Sequence, residues 1–331
     1  GCRPWGHDRH PTDRRRGEAA ALAASRARAY ISPGASPGKA VATVVRIGVV
    51  FPQTEIGPDV ASVRSYAVGV EQLGYRHLLA YDHVLGADPA VHRDWAGPYD
   101  IDTQFHEPFV VFGYIAACTS LELVTGITIL PQRPTALVAK QAVEVDLLTR
   151  GRFRLGVGIG WNAVEYAALG EEFSLRGRRV EEQVTLLRRL WTERSVSFEG
   201  RFDQVNGAGL APLPVQQPIP IWFGGTSAKA YERMGRLADG WFPLVQPGPK
   251  LASALEIITD SAERAGRDPQ TIAMEGRVDW RGDLDEVARR IDRWREVGAT
   301  HVSINTMHSG LPGAGDHLDV LARMARTLQL P

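Results

Sequence analysis

The feature that most constrains the fold is a regular alternation of two kinds of segment after residue 44. Short runs rich in Val, Ile, Leu and Phe alternate with longer runs whose apolar residues recur at helical spacing. Eight such pairs occupy about 285 residues, and eight strands each followed by a helix predict a closed (β/α)8 TIM barrel. A doubly wound open sheet is the alternative. The predicted strands are 44–51, 76–83, 121–130, 153–159, 219–223, 240–245, 271–278 and 300–305.

An insertion region separates the fourth and fifth predicted strands. Residues 195–205, SVSFEGRFDQV, predict a small hairpin, and residues 212–220 form a connector rich in proline. The barrel domain is therefore expected to comprise residues 45–331. Residues 1–44 are rich in Arg, Ala, Gly and Pro with little apolar periodicity, so we expect a disordered extension outside the barrel.

The charge balance excludes several classes of function. The chain has 38 basic and 38 acidic residues and a formal net charge of +0, so we expect no nucleic-acid partner. No apolar run is long enough to cross a membrane, and the two cysteines form neither a disulfide framework nor a metal-binding spacing. These features favour a cytoplasmic enzyme without a metal ion that acts on a small molecule.

A glycine run follows the fourth predicted strand, at the rim where TIM barrels carry their functional residues. The sequence GVGIGW places glycines at positions 156, 158 and 160. Such glycines let backbone N–H groups approach a flat or anionic ligand, or they relieve crowding where strands converge. The G-x-G-x-x-G spacing of dinucleotide-binding folds is absent, because Trp161 stands where the third small residue would be.

A second glycine pair follows the fifth predicted strand. In FGGTSAKA at 223–230, Gly224, Gly225 and Thr226 precede a predicted helix. Free N–H groups and the helix dipole form an anion site there, which favours phosphate. The alternative is an ordinary helix cap by Thr226 or Ser227.

The clearest candidate for proton transfer is His83, which ends the second predicted strand beside Asp82. A histidine next to an acid can donate or accept a proton near neutral pH, although such a residue can also hold a loop by hydrogen bonds. Glu165 lies one helical turn after Trp161 and could act as a base, although the favoured interpretation is an acid on the helix surface. A rim of glycines, apolar groups and one histidine predicts that a cofactor carries the reaction.

Five ordered segments resemble the bacterial luciferase-like superfamily, and within it the oxidoreductases that use the deazaflavin coenzyme F420. The likeness covers nearly the whole chain after residue 45. It implies a (β/α)8 barrel with an insertion, F420 as cofactor with FMN as the alternative, and a homodimer. The segments are RIGVVFPQ at 46–53, LAYDHVLGAD at 79–88, TGITILPQRPTALVAKQAVEVDLLTRGRFRLGVGIGWNAVEYAALG at 125–170, RGRRVEEQVTLLRRLW at 176–191 and PIPIWFGGTSAKAYERMGRLADGWFPL at 218–244.

The resemblance also implies roles for individual residues. His83 would stand near the redox face of the cofactor ring and supply a proton, with Asp82 beside it at the cofactor. A bulge behind the ring, often with a non-prolyl cis peptide, would fall at Thr128-Ile129. Two glycine loops would also contact the cofactor, namely Gly158-Ile159-Gly160 and the phosphate loop Gly224-Gly225-Thr226.

One departure from the pattern bears on the substrate. In the sugar-phosphate dehydrogenases of this superfamily a glutamate follows the glycine turn, whereas this chain has Trp161. A tryptophan implies an apolar wall, which suits a hydrophobic or aromatic small molecule. The resemblance alone implies that the reaction is hydride transfer between F420 and such a molecule. An FMNH2-dependent monooxygenase that inserts one oxygen atom is the first alternative, and a flavin-binding protein without turnover is the second. The long loop 84–106, with Trp95 and Tyr99, is predicted to cover a substrate pocket and argues against a passive binder.

Overall fold

The computed structural model describes residues 45–331, and the predicted extension 1–44 lies outside the described residues. Parallel strands form one sheet, and a further pairing between β3 and β5 closes it into a barrel. The predicted (β/α)8 barrel is confirmed, with β3 and β4 as two halves of its third strand. The strands are β1 Arg46–Val50, β2 His77–Ala80, β3 Glu122–Thr125, β4 Thr128–Ile129, β5 Phe153–Gly158, β6 Val196–Glu199, β7 Gln204–Ala208, β8 Ile221–Gly224, β9 Gly240–Phe242, β10 Ala273–Asp279 and β11 His301–Asn305.

Helices surround the barrel, and polar side chains begin several of them. Asp59 accepts a hydrogen bond from the N–H of Ser62 at 2.9 Å, and Asp283 accepts one from the N–H of Glu286 at 3.1 Å. Among residues 45–331, no helix is both long and apolar enough to span a membrane. The helices are α1 Val60–Gln72, α2 Pro108–Ala116, α3 Thr135–Leu148, α4 Ala163–Ala168, α5 Arg176–Thr192, α6 Ala228–Leu237, α7 Pro249–Arg264, α8 Leu284–Glu296 and α9 Ala314–Thr327.

Along each barrel strand, one residue faces the surrounding helices and the next faces the barrel interior. Val49 and Leu78 belong to the large core between strands and helices, whereas their neighbours Val50 and Leu79 belong to a separate apolar cluster inside the barrel. Helices cover the outer face of the barrel strands, and the inner face is enclosed by the barrel itself. Charged residues that alternate with apolar ones along a strand therefore lie inside the barrel. The interior consequently holds a charged region towards the amino ends of the strands.

The insertion between the fourth and fifth barrel strands has the predicted form. Strands β6 and β7 pair antiparallel as a hairpin outside the barrel. The proline-rich connector that follows is held by the buried carboxylate of Asp146, which accepts hydrogen bonds from the N–H groups of Val215 at 2.6 Å and Gln216 at 3.0 Å. This connector leads into β8 and returns the chain to the barrel.

The third barrel strand departs from prediction, because it is not continuous over 121–130. The non-prolyl cis peptide joins Gly126 and Ile127, so its expected placement at Thr128-Ile129 is wrong. A Cβ atom on Gly126 would lie 2.2 Å from Leu79, and glycine alone allows the chain to pass so close to β2 at this break. Thr128 and Ile129 instead form β4, which pairs with β5.

Candidate active site

His83 lies at the mouth of the barrel in a box of aromatic rings. It follows β2, and its ring centroid is 5.1 Å from that of Tyr99, 4.8 Å from Phe105 and 5.7 Å from Trp161. Tyr99 and Phe105 come from the loop after β2, whereas Trp161 comes from the loop after β5. The side chain of His83 is 11% exposed, so it is enclosed and still reachable from solvent.

Glu165 is buried beside His83, and its interpretation as a surface acid is wrong. Its Oε2 atom lies 3.7 Å from Nδ1 of His83 and accepts a hydrogen bond from Gln132 at 2.9 Å. Its Oε1 atom accepts hydrogen bonds from the N–H groups of Val84 at 2.5 Å and Leu85 at 3.1 Å. Burial opposes ionisation, but these hydrogen bonds outweigh it and lower the pKa of Glu165. A carboxylate therefore fixes the segment that carries His83.

A short helix places this carboxylate. Asn162 caps α4, and its Oδ1 atom accepts hydrogen bonds from the N–H groups of Val164 at 3.0 Å and Glu165 at 3.2 Å. The amide nitrogen of Asn162 in turn donates to the carbonyl of Leu85 at 3.3 Å. The cap thus turns Glu165 inwards and connects the loop after β5 to the loop after β2.

Asp82 takes part in a second ion-pair network behind His83. Its Oδ1 atom is 2.8 Å from Nη2 of Arg133, and its Oδ2 atom accepts a hydrogen bond from the N–H of Ile129 at 3.2 Å. Arg133 also pairs with Glu107 at 3.1 Å. Burial raises the pKa of Asp82, and the guanidinium of Arg133 opposes that shift. The carboxylate holds β4 in place, and a contact between Asp82 and a cofactor stays a prediction.

The glycine run packs tightly against the broken third strand. A Cβ atom on Gly158 would lie 2.6 Å from Cδ1 of Ile127, and one on Gly160 would lie 2.7 Å from Cγ2 of Ile129. Gly224 on β8 approaches Ile127 in the same way, with a Cβ position 3.1 Å from its Cγ2 atom. Relief of crowding therefore accounts for the absence of side chains here, and cofactor contacts of these glycines stay predictions. Ile159 lies between the two glycines, and its carbonyl accepts a hydrogen bond from Tyr166 at 2.8 Å.

The loop after β8 leaves its backbone open. Ser227 is the N-cap of α6 and accepts a hydrogen bond from the N–H of Ala230 at 3.2 Å. Thr226 is exposed, and Gly225 has a φ of 151°, a value that side-chain-bearing residues rarely adopt. Of the two caps expected from the sequence, Ser227 is therefore the one used. Thr226 remains on the surface at the positive end of the helix dipole.

A small cavity of about 40 Å³ lies inside the barrel mouth. Its walls include Val50, Leu79 and Phe242 from the apolar interior cluster, and Glu275 and Ser303 line its deeper part. The mostly apolar walls are typical of a small-molecule site, but the volume is well below the roughly 300–1,000 Å³ of such sites. Within residues 45–331, no three His, Cys, Asp or Glu side chains lie together as metal ligands would.

Comparison with known proteins decides the family. Residues 40–318 match the model of a family described as luciferase-like monooxygenase. The chain belongs to the luciferase-like monooxygenase family. The family expected from the five sequence segments is thus confirmed, and so is the assignment of the chain as an oxidoreductase.

Two characterised relatives and one solved structure are similar to this chain. An F420-dependent hydroxymycolic acid dehydrogenase of Mycobacterium tuberculosis is 29% identical over 257 residues, which are 75% of this chain and 66% of that protein. An FMNH2-dependent dimethylsulfone monooxygenase of Pseudomonas putida is 36% identical over 148 residues, 44% of this chain and 40% of that protein. A crystal structure of a long-chain alkane monooxygenase has a TM-score of 0.71 at 13% identity, covers 86% of this chain and 92% of its own, and shows the shared fold.

Several residues at the mouth of this luciferase-like barrel were not found by sequence reasoning. The sequence pattern does not indicate the burial of Glu165, nor the roles of Gln132 and Arg277, and it places Tyr81 only at the end of the second strand. Tyr81 and Arg277 lie at the carboxyl ends of β2 and within β10, and both line the cavity. Their position at strand ends is the signal that could have identified them.

Proposed function

We propose that the chain catalyses hydride transfer between coenzyme F420 and a hydrophobic or aromatic small molecule. The observation that carries this proposal is the placement of His83 at the barrel mouth, in an aromatic box and beside the buried carboxylate of Glu165. A proton donor held in this way suits a reaction in which a hydride and a proton are transferred together.

The residues at the mouth fit a flavin or deazaflavin. The cavity has the apolar walls that suit a flat ring, and the side chains around it would have to move to admit one. The hydroxyl of Thr128 is buried and has no hydrogen-bond partner within the described residues, and we infer that a polar atom of the ring satisfies it. We infer that Gly224, Gly225 and Thr226 hold the phosphate at the start of α6. When bound, the deazaflavin supplies the hydride chemistry that the side chains lack.

The chain's own residues would position the substrate and supply the proton. Nδ1 of His83 faces Glu165, which leaves Nε2 on the opposite side of the ring for proton transfer. Trp161 is 41% exposed and packs against Trp95 with ring centroids 5.4 Å apart, so it offers the expected apolar wall. The expected homodimer stays a prediction.

An FMNH2-dependent monooxygenase is the second candidate. It is favoured by the likeness to the dimethylsulfone monooxygenase, which is the more identical of the two characterised relatives although it matches a shorter part of the chain. Both candidates use the same cavity and the same phosphate loop. The identity of the bound cofactor therefore separates them.

Titration of the full chain with F420 and with FMN tests the proposal. We expect F420 to bind at least about 10-fold more tightly than FMN, and Thr226→Asp to weaken that binding about 10-fold, because it adds a negative charge at the phosphate loop. Thr185→Asp, on the exposed side of α5, is the matched control and should leave affinity unchanged. Tighter binding of FMN would favour the monooxygenase, and weak binding of both would contradict the cofactor assignment.

A further inference from the structure

A separate depression, called the basin below, lies beside the cavity at the carboxyl ends of β10 and β11. It is open to solvent and measures about 370 Å³. Tyr81 and Arg277 line both spaces, so they form the boundary between the basin and the cavity. Tyr99, which contacts His83, also lines the basin. The basin is therefore separated from the cavity by Tyr81 and Arg277, and from His83 by the ring of Tyr99.

The basin carries more positive than negative charge. Arg277, Arg281 and Asp279 line it, and His308 lies at its edge. Nε of Arg277 is 3.3 Å from Oδ1 of Asp279, and that oxygen also accepts a hydrogen bond from Asn305 at 3.0 Å. The single carboxylate is thus already paired.

The two guanidinium groups differ in how they are held. Nη1 of Arg277 donates to the hydroxyl of Tyr81 at 3.3 Å, which with Asp279 fixes the side chain at the basin wall. Arg281 is exposed and forms no ion pair with any residue in 45–331. One fixed and one free guanidinium at the same opening suit an anionic group, because a guanidinium presents several parallel N–H donors to a carboxylate or phosphate.

We propose that the basin binds a carboxylate of the substrate between Arg277 and Arg281, with the apolar or aromatic body of that substrate directed past Tyr99 to His83. This inference rests on the proposed function, whose substrate it narrows to aromatic or apolar carboxylic acids. Trp280 and Met307 supply apolar surface beside the charged groups. The same chemistry would attract an anionic group of the cofactor, so the two sources must be separated by experiment.

The test compares acids with their uncharged amides. Benzoate, phenylacetate, 4-phenylbutyrate and indole-3-acetate, each with its carboxamide, are titrated into the full chain by calorimetry, with and without F420 or FMN. We expect at least one acid to bind about 10-fold or more tightly than its amide, as is typical of a charge-assisted contact. Arg281→Gln and Arg277→Gln should each remove that preference, whereas Arg64→Gln, an exposed arginine on α1, should retain it.

The outcomes distinguish this inference from the proposed function. Loss of the acid preference in the Arg281 and Arg277 variants, with unchanged affinity for F420 and FMN, supports a substrate carboxylate site. Equal binding of every acid and its amide overturns the inference and leaves the cofactor assignment intact. Weakened cofactor binding in the two variants without loss of acid preference also overturns it, since the anion would then belong to the cofactor. Failure of both cofactors to bind contradicts the proposed function while the acid preference can still be measured.

Discussion

The two ends of the barrel both contain charged side chains, and they use them differently. Towards the amino ends of the strands, Arg154 lies 2.7 Å from Oε2 of Glu275 and 3.1 Å from Oε1 of Glu122. His77 is 2.9 Å from the other oxygen of Glu275, and the guanidinium of Arg154 lies over the ring of Trp222 at 4.3 Å. Every charge in this closed region has an opposite charge close by.

At the carboxyl ends of the strands, buried carboxylates hold the loops, and other polar groups border open space. His83 stands beside one carboxylate in a box of aromatic rings, and Arg277 borders both the cavity and the basin. The difference indicates that the amino end of the barrel contributes to folding and the mouth to ligand binding, as in other TIM barrels. In this barrel, a charged side chain indicates a role in binding only where a ligand can contact it.

The largest expected effect concerns the closed end. Arg154→Met removes the shared partner of Glu275 and Glu122, and breaking a buried ion pair in this way should cost about 3–5 kcal/mol of unfolding free energy. Urea denaturation measures it. Arg289→Met, in an ion pair on α8 whose arginine side chain is 60% exposed, is the control and should cost less than about 1 kcal/mol. Equal costs for the two variants would mean that the closed end does not stabilise the barrel.

The next effect concerns the mouth. His83→Ala should lower turnover about 100-fold or more while cofactor affinity stays nearly unchanged, because it removes the proton donor and leaves the phosphate loop intact. Single-turnover oxidation of the reduced cofactor, together with a binding titration, measures both quantities. Turnover at the level of the unmodified chain would remove His83 from the mechanism.

A smaller loss is expected at the residue that positions His83. Glu165→Gln keeps the size of the side chain but replaces one acceptor oxygen with a donor, so it disturbs the loop at Val84 and Leu85. Turnover should fall about 10-fold with a changed pH profile, as expected for a displaced general acid. An unchanged pH profile at lower turnover would assign Glu165 a purely structural role.

The smallest effect is a change in how stability depends on pH. Burial, followed by the positive charges of Arg154 and His77, lowers the pKa of His301 to about 2, although Glu275 opposes the shift. Below about pH 6.5 the unfolded chain therefore binds a proton that the folded protein does not, and unfolding free energy falls as the pH falls.

His301→Phe tests this dependence because a phenyl ring can still pack on Trp222, whose ring centroid lies 5.3 Å from that of His301. Between about pH 6.5 and 4.5 the variant should lose less stability than the unmodified chain, by about 1 kcal/mol per pH unit. Denaturation curves at several pH values measure the slope. Identical slopes would show that His301 carries its proton in the folded protein.

The barrel and its rim were predictable from the sequence because the signals are local. Apolar runs that alternate with amphipathic helices, and caps such as Asp283, depend on residues close together in the chain. The residues at the rim could be predicted from the fold, because the carboxyl ends of the strands meet at one end of a TIM barrel. His83 and Trp161 therefore meet as the strand-end rule implies, with ring centroids 5.7 Å apart.

The remaining features depend on approaches between distant segments. Glu165 is buried because the loop after β2 folds over a short helix, and nothing in the sequence of α4 records that contact. At the break in the third strand, Gly126 passes so close to Leu79 of a neighbouring strand that no Cβ atom fits. Arg154 and Glu275 alternate with apolar residues, as charged residues do in a strand with one solvent-exposed face. Closure of the barrel is what places these two side chains in its interior.

Measuring stability and cofactor affinity in the same two variants tests the division between the two ends most directly. For Arg154→Met, at a temperature where it is folded, we expect a large loss of unfolding free energy and a dissociation constant for the preferred cofactor within about 3-fold of the unmodified chain. For Thr226→Asp we expect unchanged stability and about 10-fold weaker binding. Equal loss of affinity in both folded variants would contradict the separation of folding and binding between the two ends of the barrel.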